Sequence, residues 1–260
     1  MDYWKKEAEK LHCAENLEWN FPEQKQGRLG IFGGHSGGFA TEVKIAGVVS
    51  EKFKFLGEVK NFFPESLKKN FPVMANLEFL PATESGSLKK SAELLEAVKG
   101  VDFSLFLGDF SKNSETAIAA SEAISECPGG VVVTRDTVDL VSSEMENLIM
   151  NEKLTIVGSL AQVQKVFKAV YYPRMILLSQ PLSQVIETLH KFTLSYPLSL
   201  MTFHEGFVLV ARNGKVYSVA LSKTKYSPLT LWSGEVAAKA SVYLMFNGTH
   251  PVESLLAGLE

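Results

Sequence analysis

Cysteine is nearly absent: the 260-residue chain has Cys13 and Cys127 and no others. With no Cys-x-x-Cys and no ligands gathered around either, it can build neither a disulfide scaffold nor a zinc module. The two read as reduced thiols of a cytoplasmic protein. No apolar run approaches the ~18 residues of a membrane helix; the longest, such as 207–211, have strand length. Charge of one sign is missing too. Twenty-six Lys and Arg against 29 Asp and Glu leave −3, without the basic field that nucleic acid or an anionic membrane requires of a partner. An apolar share of 46% excludes intrinsic disorder. The polar, mixed-charge start is not a signal peptide, and no 20–50-residue repeat or low-complexity linker divides the chain. His12, His35, His190, His204 and His250 are scattered, with no metal spacing. No Gly-x-Ser-x-Gly supplies a hydrolase nucleophile.

What is present is alternation. Trp4, Ala8 and Leu11 fall at helical spacing and predict a short amphipathic helix near the N-terminus. An apolar run at 29–32 ends in a glycine-rich turn at 33–38, with a helix from about 40 to 51. Strands follow at 76–80, 103–107, 130–133 and 154–157, interleaved with helices at 88–98, 114–125, 138–148 and 161–170. A brief apolar stretch lies at 175–178, before a helix at 182–194. Three strands then come in quick succession, at 198–203, 207–211 and 216–221. The last two are joined through Asn213-Gly214, a strong hairpin signal. Helices at 234–246 and 252–259 close the chain. The pattern predicts a three-layer α/β/α domain with a mostly parallel sheet and an antiparallel edge hairpin.

In such sheets ligands bind beyond the carboxyl ends of the strands, at helix N-termini, so four strand-to-helix junctions are candidates. The first is Gly33-Gly34-His35-Ser36-Gly37-Gly38, which either lets backbone N–H groups approach a phosphate or is a tight turn. His35 is the one histidine placed at such a junction. The second runs from Gly108 through Asp109, Phe110, Ser111, Lys112 and Asn113, a phosphate loop or a helix cap. In the third, Thr134 to Asp139, Asp136 and Asp139 either hold Mg²⁺ through water or cap a helix. The fourth, Trp232-Ser233-Gly234-Glu235, puts a carboxylate in the first helical turn, a proton acceptor beside anion-binding N–H groups or part of a capping arrangement.

In order and spacing, these junctions resemble the ribokinase-like superfamily, and within it the ADP- or ATP-dependent NAD(P)H-hydrate dehydratases. Residues 27–40 are similar to that family's strand running into Gly-Gly-Ser and then Gly-Ala. Gly108 to Ser111, with Glu115-Thr116, matches its Gly-Pro-Gly-Leu-Gly and Glu-Thr. Thr134 to Asp139 resembles its Asp-Ala-Asp-Ala-Leu-Asn, Leu154 to Val157 its Leu-Thr-Pro-His, and Trp232 to Glu235 its final Gly-Thr/Ser-Gly-Asp. The likeness runs from about residue 27 to 260.

The resemblance implies a single ribokinase-like domain over 1–260, with 1–26 as an N-terminal helical extension. It implies phosphorylation of the hydroxyl of hydrated NADH or NADPH, then elimination of phosphate. Glu235 stands at the position of the catalytic base. Gly33, Gly34, His35, Ala40, Gly108, Asp136, Ser233 and Gly234 stand at nucleotide- or substrate-binding positions. ATP or ADP, with Mg²⁺ accompanying it, is the implied cofactor, with no metal held by the protein itself. The expected partner is a small molecule or nucleotide in a homo-oligomer, with neither nucleic acid nor membrane. The departures concentrate where the chemistry would be. Glu235 replaces aspartate, Trp232 the first glycine of that motif and Lys239 a later one. Asp109 and Phe110 replace Pro-Gly, Ile156 and Val157 replace Pro-His, and His204-Glu205-Gly206 stands where the family has Lys-Gly. Two alternatives therefore accompany the dehydratase: a non-catalytic binding or assembly partner of the same fold, and a small-molecule kinase.

Overall fold

The computed structural model describes residues 2–7, 11–23, 26–54, 57–71 and 76–260. In chain order the elements are β1 (Trp4–Glu7), α1 (Cys13–Glu18), β2 (Arg28–Gly33), α2 (Ala40–Lys52), β3 (Glu58–Pro64), β4 (Leu77–Leu80), α3 (Ala92–Lys99), β5 (Phe103–Gly108), α4 (Ser114–Ser125) and β6 (Val131–Thr134). They continue as α5 (Asp136–Leu140), α6 (Met145–Leu148), β7 (Leu154–Val157), α7 (Leu160–Ala169), α8 (Leu182–Ser195), β8 (Ser199–His204), β9 (Phe207–Arg212), β10 (Lys215–Ala220), α9 (Glu235–Phe246) and α10 (Pro251–Ala257).

The ten described strands form one sheet in the order β1-β10-β9-β8-β7-β6-β5-β2-β3-β4. Every pairing is parallel except those of β9 with β8 and β10. The central strands read as unbroken apolar runs because both faces are covered. Alternate side chains go to opposite sides. Phe32, Phe106, Val133 and Ile156 pack with α3, α4, α7 and α8 on one face, while Ile31, Leu105, Leu107 and Val132 pack with α1, α2, α9 and α10 on the other. Asn213 and Gly214 both take positive φ, +48° and +71°, which closes the two-residue β9–β10 hairpin as the sequence predicts.

Three segments differ from expectation. Trp4 to Glu7 form a strand, not the start of a helix: they pair in parallel with β10, and Trp4 Nε1 donates to Ser218 Oγ at 2.9 Å. The open edge of β10 offers backbone partners that a short exposed helix lacks. The hairpin accordingly lies one strand in from the sheet edge. Ala8 falls outside the described residues, and the first helix is α1. β3, with Val59, Phe62 and Phe63 buried, is not among the expected strands, because Lys60 and Asn61 interrupt its apolar pattern. The single helix expected at 138–148 is broken into α5, a 3-10 turn over Val141–Glu144 and α6. There Ser142 Oγ donates to the Asp139 carbonyl at 2.7 Å and competes with helical bonding. No described helix is long and apolar enough to cross a membrane.

Candidate functional site

The four junctions meet at the carboxyl edge of the sheet. Gly34 N–H donates to the Gly108 carbonyl at 2.9 Å, tying the first to the second. The Asp136 carboxylate accepts from the N–H groups of Asp109 (2.8 Å) and Phe110 (3.1 Å), tying the second to the third. Arg135 donates to the Asp109 carboxylate at 2.7 Å. The fourth closes on the same place, because Arg135 lines one cleft with Ala40, Thr41, Lys44, Ile45, Trp232, Ser233 and Glu235. The cleft encloses about 360 Å³.

Two helices begin at this cleft, and neither N-terminus is capped by a side chain. α2 starts after Phe39 and α9 after Gly234, whereas Ser91, Asn113 and Ser159 cap α3, α4 and α7. Gly234 holds φ +100°, a conformation that a side chain disfavours, and it turns the chain directly into α9. Ser233 lines the cleft, and its Oγ accepts from the Glu235 N–H at a long 3.5 Å. The positive ends of two helix dipoles therefore face one space, together with Lys44 and the Asp109-paired Arg135. Arg135 is held at φ +54°, ψ −138°, a backbone region rarely occupied by residues with a side chain. Asp109, its partner, is left-handed as well, at φ +56°. Two strained residues joined by an ion pair at a cleft mark a place where ordinary folding preferences are overridden.

Glu235, the candidate base, lines the cleft but is not free. Its carboxylate takes a hydrogen bond from Tyr226 Oη (3.0 Å) and an ion pair from Lys239 Nζ (2.6 Å), and Lys239 in turn donates to Tyr226 (2.8 Å). Burial works to raise the Glu235 pKa, but the Lys239 hydrogen bond and charge outweigh it and hold the carboxyl below its usual range. Lys239 is 2% exposed. Burial pulls its ammonium below the ordinary lysine value, and neighbouring Lys225 adds to this. Lys239 thus grips the Glu235 carboxylate one helical turn away.

The remaining candidates divide. Ala40 and Ser233 line the cleft with Glu235, and Gly234 starts α9 beside it. Gly33, Gly34, Gly108 and Asp136 lie in the wall formed by the first three junctions, where their contacts are with the protein itself. His35 turns Nδ1 to the Asp109 carbonyl (2.6 Å) and braces that loop. Asp136 and Asp139 are both engaged, Asp139 by Lys165 and by Gln162 (2.8 Å), and neither caps α5. Among the described residues, no group of three or more His, Cys, Asp or Glu side chains is placed to hold a metal ion. Nothing in the residue pattern singles out Lys44, which lines the cleft. Glu42 shares the buried stripe of α2, three residues before Ile45 and seven before Val49, a spacing visible in the sequence.

No protein-family model matches the sequence, and no curated protein does. Solved structures do. One is a ribokinase-like superfamily protein from Enterococcus faecalis (TM-score 0.65, 11% identity, 99% of this chain and 85% of that one). Another is the hydroxyethylthiazole kinase from Pyrococcus horikoshii (0.59, 10% identity, 95% and 81%). A third is the Bacillus subtilis pyridoxal kinase in complex with ADP (0.52, 11% identity, 90% and 89%). At these identities the likeness is one of fold: the chain has the ribokinase-like α/β fold.

Proposed function

We propose that the protein binds the phosphates of a nucleotide in the cleft between α2 and α9, and that its resting site is built for binding more than for fast phosphoryl transfer. The observation that carries this is the pairing of two uncapped helix N-termini with Lys44 and Arg135 around one space. An ADP-bound kinase of the same fold supports it. Transfer chemistry depends on positioning and on charge stabilisation. It also requires a proton acceptor, and Glu235, held by Lys239 and Tyr226, is a weak one.

A second reading follows from the place of Glu235 in the cleft: slow phosphorylation of a small hydroxyl compound. That compound is the hydrated nicotinamide ring of NADH or NADPH that the family resemblance implies, or a heterocyclic alcohol of the kind named in two structural neighbours. The test is a melting-temperature screen with ATP, ADP and NADPH, followed by phosphate release from hydrated NADH. A ligand that binds only the folded state raises the melting temperature. The expected result is a rise with ATP or ADP and little phosphate release. No rise with either nucleotide contradicts the binding reading, and rapid release contradicts the restraint on Glu235.

A further inference from the structure

α2 carries a second stripe that the cleft does not use. Val43, Ala46, Gly47 and Ser50 fall at i, i+3, i+4 and i+7, whereas the cleft takes Ala40, Thr41, Lys44 and Ile45. The second stripe walls a cavity of about 550 Å³ beside β3 and the start of β4. Val59, Asn61 and Phe63 alternate onto the face of β3 that lines it. Phe63 is buried, and the ring of Phe71 stacks against it with 4.9 Å between centroids. The cavity opens to solvent where Val43, Gly47, Ser50 and Asn76 are exposed. Gly47 marks the room inside: a Cβ there would meet no atom within 4 Å. A glycine within a helix costs about 1 kcal/mol relative to alanine, and no close contact requires this one. No described side chain around the cavity carries a charge. Asn61 makes no side-chain hydrogen bond among the described residues, and its Oδ1 is buried without a partner. Its carboxamide is therefore free to turn about its last bond and present either oxygen or NH₂ to the cavity.

We propose that this cavity is a second small-molecule site, taking an uncharged heteroaromatic compound of two or three fused rings that hydrogen-bonds to Asn61. The proposal is independent of the nucleotide reading, which concerns the other flank of α2. Small-molecule sites are mostly apolar hollows of about 300–1,000 Å³ with a few placed polar groups, and this cavity has that form. The stacked rings of Phe63 and Phe71 suit a planar ring packed against them. A ring N–H or ring nitrogen supplies the partner that Asn61 lacks. A charged compound would leave water for walls that offer no opposite charge.

The experiment is calorimetric titration of indole, of benzothiophene, its analogue without the N–H, and of the anion indole-3-acetate. Each is run against wild type, Gly47→Leu and Asn61→Leu. Wild type is expected to bind indole saturably and indole-3-acetate about ten-fold or more weakly. Gly47→Leu puts a side chain into the open space and should abolish indole binding. It should melt at or above the wild-type temperature, because leucine favours the helix, which shows that the fold is kept. Asn61→Leu should still bind benzothiophene but lower the ratio of indole to benzothiophene affinity about five-fold, as loss of one neutral hydrogen bond does. The proposal is overturned if wild type does not bind indole, or binds indole-3-acetate as tightly. It is overturned equally if Gly47→Leu melts below wild type or still binds indole, or if Asn61→Leu leaves the ratio unchanged. A wild type that ignores indole but forms a dimer abolished by Gly47→Leu also overturns it, and assigns the face to a second copy of the chain.

Discussion

A buried carboxyl without a partner should leave its mark on the pH dependence of stability. Glu42 is 1% exposed and neither carboxyl oxygen has a hydrogen-bond partner; an unfolded chain holds such a group at the ordinary 4.5, and in the fold burial and the nearby Asp109 push it up to about 8. Below about pH 4.5 both states hold the proton and folding loses nothing. Between the two values the unfolded chain releases the proton and the native state keeps it, so stability falls as pH rises. Above about pH 8 the loss is complete. Each unit is worth about 1.4 kcal/mol, so the full span approaches 5 kcal/mol and the part between about pH 5 and pH 7 approaches 3 kcal/mol. Glu42→Met removes the group and fills similar space with an apolar chain. The assay is urea unfolding of wild type and Glu42→Met at several pH values across that range. The two stabilities should diverge with rising pH, the variant becoming the more stable by about 3 kcal/mol near pH 7. Parallel curves, or a variant less stable at neutral pH, refute the placement of Glu42 as an unpaired buried acid.

Three further outcomes follow from the same geometry. Lys239→Met leaves Glu235 with Tyr226 alone and breaks an ion pair whose lysine is buried. Urea unfolding should show a loss of about 2 kcal/mol, below the range for a fully buried pair because Glu235 reaches the cleft, and phosphate release from hydrated NADH should rise above wild type. Asp136→Ala removes the acceptor of two backbone N–H groups that fix the left-handed Asp109; it should cost about 3 kcal/mol in the same assay, and Asp136→Asn less. Trp232→Gly widens the cleft that Trp232 lines and should tighten ADP binding by calorimetry, whereas unchanged or weaker affinity means that the indole is itself a ligand contact.

Alternation of apolar runs with glycine turns was enough to place most strands and helices, because a parallel sheet covered on both faces leaves runs such as Val131 to Val133 wholly apolar. β1 was not legible: Trp4 to Glu7 form a strand only because β10, more than two hundred residues later, offers an open edge. The junctions were legible as glycine and serine at strand ends. Their partners were less so. Asp136 reads locally as a cap or a metal ligand, and only the fold brings Asp109 and Phe110 within its reach. Tyr226 joins Glu235 and Lys239 through a loop whose path depends on tertiary packing. Lys239 could be seen as a departure from glycine, but its grip on Glu235 follows from their i, i+4 spacing on α9.

The central claim is that two helix starts, Lys44 and Arg135 together hold a nucleotide's phosphates. It is tested most directly by calorimetric titration of ATP into wild type and the double variant Lys44→Gln/Arg135→Gly. Glycine at position 135 suits the backbone held there at φ +54°, so lost affinity reports the lost side-chain charges, with the Arg135–Asp109 pair, and not a strained backbone. The account predicts saturable, salt-weakened binding by wild type and a loss of about a hundred-fold or more in the double variant, each charge-assisted contact being worth about 1.5–3 kcal/mol. Equal affinity in the two proteins, or no binding by wild type, contradicts it.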